Sequence, residues 1–548
     1  MTGTARTARW IAIAAFLIYA ATGGGRIVGS DEVTMLELSR ALMRGGVAVP
    51  EGATLAGRDG RFYTKNSALQ AVVALPLVAI GDGAAQLAGL PPARRELAAR
   101  CVASLLNALI AALLLAAFYV AARRFGIRAP AALAGVALLG FTTPLWVYAK
   151  SFMAEPLQAL GVLLALAGAS FADEPRWRRA GGVGVFLAVG AKLSMLPFAL
   201  VALLPLRAQA PQRWLPFAIG LGSALLAHLG YNVARFGTPL ETGYGAQASF
   251  AAYTTPLWVG VYGLLLSSGK GVMWFAPALW LLPGAWRKLH RPHDEARHEP
   301  SRFQRALRGL ARFLPRGWRP SESEVVVEHR FDDLRRAAPA IAGMAAMALL
   351  LYGTFEHWAG DGSFGPRYLV PLLPVAFLLV AFGLQHPSRA RRRAAQWLAL
   401  AGLLVQLGGV GIHFGAQMRS AGDYPYRLAL SDPRFMSDAH FNPRFSPILG
   451  HWRLLIANAS AEARGDAPRL ELSAAAPAAI DSSAAAPPGR LGVSAVDQAQ
   501  LLRALDFWWT YAAYAGLPRL PLQAVALLLL AFGLAAALRA RVAARREA

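Results

Sequence analysis

With 56% hydrophobic residues, only 16% charged residues and a mean hydropathy of +0.40 over 548 residues, the chain does not read as a soluble protein, where charged residues make up roughly a quarter. The formal charge of +24 does not mark a nucleic-acid partner, because the arginines cluster between apolar runs, where orientation in a bilayer accounts for them. The single cysteine, Cys101, excludes an intrachain disulfide and a cysteine-built metal cluster.

A crossing needs about 20 apolar residues, and the positive-inside rule orients each one. Trp10 to Val28, preceded by Arg6 and Arg9, reads as an uncleaved first span with a cytoplasmic N-terminus. The first outer loop, residues 29–81, follows: Gly29-Ser-Asp-Glu32, an amphipathic segment from Val33 to Arg44, then Gly60-Arg-Phe-Tyr-Thr-Lys-Asn66 running into an apolar Ala68 to Ile80 that is too short to span. Ala98 to Ala121, Ala131 to Val147 and Glu155 to Phe171 cross next. Gly181 to Leu206 makes two segments turned at Lys192, and Leu215 to Tyr231 leads to an outer loop from Asn232 to Pro256. Leu257 to Leu266 is broken by Ser267-Ser-Gly-Lys-Gly271 before Val272 to Trp286. Residues 287–336 hold 13 Lys or Arg side chains and read as a cytoplasmic loop, in which His-rich Leu289 to His298 is part of the basic run. Ala337 to Thr354, Tyr368 to Leu384 and Trp397 to Phe414 complete a membrane domain over residues 1–414. Residues 415–518 form an outer segment whose Ala/Pro/Ser-rich middle, Ala457 to Ser494, reads as mobile. Residues 519–548 hold a last span and a basic cytoplasmic tail. About twelve spans, all helical, put both ends inside.

This topology is tested by its isolated charges. Asp31, Glu32, Lys65, Lys150, Glu155, Lys192, Arg235, Glu241, Lys270, Glu356, His357, Asp361 and Arg367 all fall at outer span ends or in outer loops. Ionisable groups near membrane depth point to a cavity or a partner, although any one lysine or arginine taken singly can simply snorkel. Transfer of a sugar from a lipid phosphate to a hydroxyl needs a base at the acceptor oxygen and cations at the leaving phosphate. Asp31 or Glu32 can supply the base; Lys65, Lys192, Lys270 or Arg367 can supply the cations. Tyr63, Tyr148, Tyr244, Trp258, Trp274, Trp358 and Tyr368 can stack on a sugar, or serve as an interfacial aromatic belt. No Gly-rich phosphate loop in a strand-helix context and no zinc-type histidine spacing is present.

Four stretches carry a family resemblance: Asp31-Glu32 after the first span, Phe62-Tyr-Thr-Lys-Asn-Ser-Ala-Leu69, Met153-Ala-Glu-Pro156, and Gly362-Ser-Phe-Gly-Pro-Arg-Tyr368. Together they resemble the GT-C superfamily of membrane glycosyltransferases, in the branch of protein O-mannosyltransferases and bacterial lipid A aminoarabinose transferases, as far as about Leu384. Arg235 to Tyr244 and the Ser267 to Gly271 break are similar to stretches of uncharacterised bacterial members. The resemblance implies an all-α polytopic fold with juxtamembrane helices in the first outer loop. It further implies a polyprenyl-phosphate-sugar donor, a lipid, glycan or protein acceptor, and chemistry on the outer face of the bacterial inner membrane. On the matching positions it implies Asp31 as catalytic acid with Glu32 beside it, Glu155 as a second acid, and Lys65 on the carrier phosphate. Lys192 matches an outer-turn lysine, and Pro366-Arg367 presents charge to the cavity from a helix start. Asn66-Ser67 departs from the usual proline pair. No cofactor is expected; two outer carboxylates leave room for a divalent ion without requiring one.

The expected activity is therefore that of a hexosyl- or pentosyltransferase, inverting by direct displacement. A transporter or flippase of lipid-linked glycans is the alternative, since it would use the same cavity without breaking a bond; internal repeats and midplane charges would mark it.

Overall fold

The computed structural model describes residues 3–50, 54–290, 331–360, 362–423, 433–470 and 503–547. About 75% of the structure is helical; a short hairpin, β1 (Leu55–Ala56) and β2 (Phe62–Tyr63), is the one sheet among the described residues. The α-helices before residue 271 are α1 (Gly3–Ala21), α2 (Ser30–Met43), α3 (Ala68–Leu87), α4 (Pro92–Ala103), α5 (Leu105–Arg124), α6 (Ala129–Phe141), α7 (Leu145–Tyr148), α8 (Glu155–Ser170), α9 (Pro175–Ala191), α10 (Leu196–Ala202), α11 (Leu215–Phe236) and α12 (Leu257–Leu266), and the segment expected to cross from Val272 to Trp286 is broken into two short helices, Val272–Phe275 and Leu282–His290. Among the described residues, six helices are long and apolar enough to cross a membrane: Ala68–Leu87, Arg94–Arg124, Pro211–Phe236, Asp332–Thr354, Arg389–Gly411 and Arg519–Arg545. The other segments expected to cross are shorter or broken, so length alone does not return twelve. The protein is a multi-pass helical membrane protein.

Glycines set the packing at its centre. A Cβ on Gly161 of α8 would lie 2.5 Å from the Ala188 nitrogen of α9, one on Gly184 of α9 would lie 2.5 Å from the Ala165 nitrogen of α8, and one on Gly220 of α11 would lie 2.1 Å from the Gly182 oxygen of α9. Close backbone approach of this kind is how helices associate without a hydrophobic driving force. It brings the start of α8, the end of α9 and the end of α11 to one end of the bundle, and with them Glu155, Lys192 and Arg235. The opposite end carries the arginines of the basic loops, where Arg124 meets Glu174 at 2.8 Å and Asp333 at 3.9 Å. The first and last helices run antiparallel: Thr4 donates to Glu547 at 2.9 Å, and the Trp509 indole donates to the Ala21 carbonyl at 3.2 Å. Both described ends therefore lie at the basic end.

Several boundaries differ from the sequence expectation. The first helix stops at Ala21 rather than Val28, because Gly25 takes φ +63° where Trp508 leaves no room for a side chain. Helix α3 does not end at Ile80; it runs 20 residues to Leu87. Gly81 lies against the Ala99 carbonyl of α4, and Asp82 accepts from Arg40 at 2.7 and 3.0 Å. Helix α11 continues past Tyr231 and closes at Gly237 (φ +73°), so Asn232 and Arg235 are helical rather than in a loop. The helix Pro447–Ala463 continues into the stretch expected to be mobile, tied by Asn458 to the Ala504 carbonyl at 3.1 Å and by Glu462 to Arg519 at 2.8 Å. Residues 471–494 of that stretch, 291–330 of the basic loop with most of its histidines, and Asp361 lie outside the described residues.

The site end is closed by a buried ion cluster. Asp506 pairs with Arg26 and, at 2.8 Å, with Lys150, whose ammonium also donates to the Val410 carbonyl at 2.6 Å; the Arg26 guanidinium lies 3.8 Å over the Tyr511 ring. Three distant segments meet there, and each ion is nearly inaccessible. Removing one partner of a buried pair costs about 3–5 kcal/mol, so Asp506→Asn is expected to lower unfolding stability by about that amount in detergent-melting or denaturant titrations. The Asp506→Asn, Lys150→Met double variant is expected to lose less than the sum of the singles.

Candidate active site

Helix α2 begins where Gly29, in extended conformation, hands over to a first turn that contains Asp31 and Glu32. The two neighbours diverge. Glu32 turns back into the fold: its carboxylate accepts from the Gly29 N–H at 3.0 Å and from the Phe152 N–H at 2.5 Å, stapling α2 to the loop before α8. Burial pushes its carboxyl above the usual range in spite of these donors. Asp31 points instead into a cavity of about 550 Å³.

That cavity gathers Asp31, Lys65, Lys192, Arg235, Arg367, Tyr244 and Tyr368. Arg367 is its hub. Its Nε donates to Glu155 Oε1, and its two terminal nitrogens lie 3.4 and 3.5 Å from Asp31 Oδ2. The Lys192 ammonium sits 5.3 Å from the centre of the Tyr368 ring, and that of Lys65 sits 5.7 Å from the centre of the Tyr244 ring, within cation–π range. Tyr368 stacks on Tyr352 at 4.6 Å.

The loop that carries Lys65 is held from two sides. Arg235 donates to the Thr64 carbonyl at 2.5 Å and to Asn232 at 2.6 Å, which makes it a buried brace as much as a lining charge. The Asn66 amide reaches Asp31 Oδ1 at 3.3 Å, and Thr64 reaches Thr34 at 3.1 Å. The position where the sequence departs from the proline pair thus places a hydrogen-bond donor on the candidate base.

Four expected site residues do not line the cavity: Glu32, which turns back into the fold, and Glu155, Lys270 and Tyr63. Glu155 stands behind it, anchoring Arg367. Lys270 is buried and donates to Ser363 through the carbonyl at 2.7 Å and the hydroxyl at 3.3 Å, so it supports the 360–367 loop rather than presenting a free cation. Tyr63 gives its hydroxyl to Asp59 at 2.7 Å and packs edge-on to Phe236. Lys150 belongs to the Asp506 cluster. Lining groups that sequence reasoning missed include Ser194, His228, Gln247, Tyr253, Tyr352 and Phe355; Ser194, Tyr352 and Phe355 lie near expected span ends, the one sequence feature that they share with the charges singled out.

Electrostatics follow from this arrangement. Burial opposes the Asp31 carboxylate, yet Arg367, Lys65, Lys192 and the Asn66 amide together hold its pKa below the usual value. Burial, then Arg367, pushes Lys192 in the turn between α9 and α10 down to about 8, with Glu155 and Asp31 pulling the other way. Burial raises the Tyr244 phenol. Among the described residues, no three His, Cys, Asp or Glu side chains come together as metal ligands; between Asp31 and Glu155 the guanidinium of Arg367 already supplies a positive charge.

No protein-family model matches the chain, and no curated protein sequence matches it. Among solved structures, the chain is similar to the lipid A aminoarabinose transferase ArnT from Cupriavidus metallidurans bound to undecaprenyl phosphate, at 17% identity over 86% of this chain and 81% of that one, with a TM-score of 0.46. It is similar to the same protein in the apo state at 17% identity over 98% of this chain and 77% of that one, with a TM-score of 0.40.

Lys192 makes the charge of the cavity depend on pH. Its ammonium is charged below about 8 and lost above it, while Asp31 is already ionised at neutrality, so affinity for an anionic probe such as dodecyl phosphate is expected to fall as pH rises from 7 to 9. Lys192→Arg, charged throughout, is expected to flatten that profile in binding titrations.

Proposed function

We propose that the protein is a membrane glycosyltransferase of the GT-C type, moving a sugar from a polyprenyl-phosphate donor to a hydroxyl acceptor. The observation that carries this reading is one lining carboxylate, Asp31, sharing a cavity with Lys65, Lys192 and Arg367 beside two tyrosines. A general base and a cluster of cations are what the two ends of the reacting bond require. The four motifs that resemble GT-C enzymes contribute Asp31, Lys65 and Arg367 to that cavity, and Glu155 immediately behind it.

In this reading the carrier phosphate lies against Lys65, Lys192 and Arg367, and the sugar ring rests near Tyr244 and Tyr368. Asp31 takes the proton of the acceptor hydroxyl as its oxygen attacks the anomeric carbon from the face opposite the phosphate, which inverts that carbon. Glu155 holds Arg367 in place. The basic end of the bundle with both described chain ends is cytoplasmic, and the cavity opens at the outer face of a bacterial inner membrane. The clustering of charge at one end of the bundle, rather than across its middle, favours an enzyme over a transporter.

Asp31→Asn is expected to fold and to lose about 10²- to 10⁴-fold in turnover, measured as release of free polyprenyl phosphate from a panel of radiolabelled polyprenyl-phosphate sugars in lipid. An unchanged rate would remove Asp31 as the base, and labelled lipid that crosses the bilayer intact would replace the enzyme with a transporter.

A further inference from the structure

The contacts of Arg367 are unequal. Its Nε edge is tied to Glu155, which is 4% exposed, while the fork formed by its two terminal nitrogens meets a single oxygen of Asp31 at 3.4 and 3.5 Å, the outer limit of a hydrogen bond. Such a fork is matched to two oxygens of a phosphate at about 2.7–2.9 Å. Asp31 occupies it loosely, is 21% exposed toward the cavity, and has a second holder in the Asn66 amide at 3.3 Å. Lys65 and Lys192 line the same space. Glu155 contacts only the far edge of the guanidinium, so a new anion at the fork leaves that anchor in place.

We propose that the carrier phosphate and the Asp31 carboxylate compete for the Arg367 fork, so that donor binding itself releases Asp31 to act as the base. This rests on the glycosyltransferase reading and adds an order of events to it. Without donor, Arg367 neutralises Asp31 and the carboxylate is a poor proton acceptor. With donor, the phosphate takes the fork, Asp31 stays tethered by Asn66, and its free oxygen turns to the acceptor. The electron pair of the acceptor O–H becomes the new O–C1 bond, and its proton passes to Asp31. The C1–O bond to phosphate breaks with its pair on the phosphate oxygen. The leaving monoester gains a second negative charge, which the vacated fork and the two lysines receive. An acceptor bound alone is thus never deprotonated.

Competition predicts an effect opposite to that of an ordinary site residue: removing the Asp31 charge should tighten the carrier. The probe is farnesyl phosphate, titrated into the full chain in lipid nanodiscs. Asp31→Asn is expected to bind it about fivefold more tightly than wild type, the size of one loose, partly screened ion pair, while turnover is lost. A misfolded variant cannot mimic a gain. Because a lost negative charge would favour any anion through the general field, the same substitution is made in Arg367→Lys, which keeps the charge and removes the fork. Loss of the gain in that background supports exchange at the fork. Affinity in Asp31→Asn that is unchanged or weaker, or a gain that persists in Arg367→Lys, overturns it and leaves the glycosyltransferase reading standing. Absence of farnesyl phosphate binding in wild type and in both variants overturns both.

Discussion

A guanidinium held between two carboxylates at the end of a helical bundle is the contact on which the arrangement of the site depends. Arg367 joins the first turn of α2, through Asp31, to the first turn of α8, through Glu155. Burying either acid alone would carry a desolvation cost of several kcal/mol. Sharing one cation between them offsets that cost and fixes the distance between two segments far apart in sequence. The 360–367 loop that delivers Arg367 is in turn over-determined: Lys270 and Tyr148 bond the carbonyls of Ser363 and Phe364 at 2.7 and 3.2 Å, and Gly360 and Gly365 take the positive φ values of +63° that let it fold back.

Around this hub the polar groups at the site end sort into three kinds that composition cannot separate. Some line the cavity. Some are braces that bond fixed partners in the fold, as in Lys270, Glu32 and Arg235, the last of which also lines the cavity. Others form closed ion clusters away from the cavity, such as Arg26, Lys150 and Asp506, or Arg40 with Glu37, Asp82 and Glu96. The closed clusters hold α2, α3, α4 and the segment after residue 503 at the rim. In the cavity it is the contact of Asp31 with the Arg367 fork that is loose, which is the condition for exchanging a protein partner for a ligand.

Much of the fold was legible because the bilayer imposes one pattern on the chain. The turn at Lys192, the start of α8 at Glu155-Pro156 and the break at Ser267 to Gly271 all lie where apolar runs meet charge or proline. Boundaries set by tertiary contact were not legible. Gly81 looked like a helix end but is a packing site against α4, and Asn232 looked like the start of a loop but lies in a helix that closes only at Gly237. Within the site, Asp31, Lys65, Lys192 and Arg367 could be picked out as charges at span ends. Glu32 could not be told from Asp31, since adjacent helix positions differ by about 100° in direction and only the fold says which one faces the cavity.

The sequence alone determined that this is a helical membrane protein, which segments are apolar, and that a set of acids and bases gathers toward one end of its spans. These follow from transfer free energies, which act residue by residue. The tertiary structure decided which of those charges share a cavity, that Glu155 acts on Arg367 from behind, and that Lys150 and Lys270 are structural. Those outcomes depend on which backbone carbonyl or carboxylate each side chain meets, and such partners lie dozens to hundreds of residues away, where no local pattern can specify them.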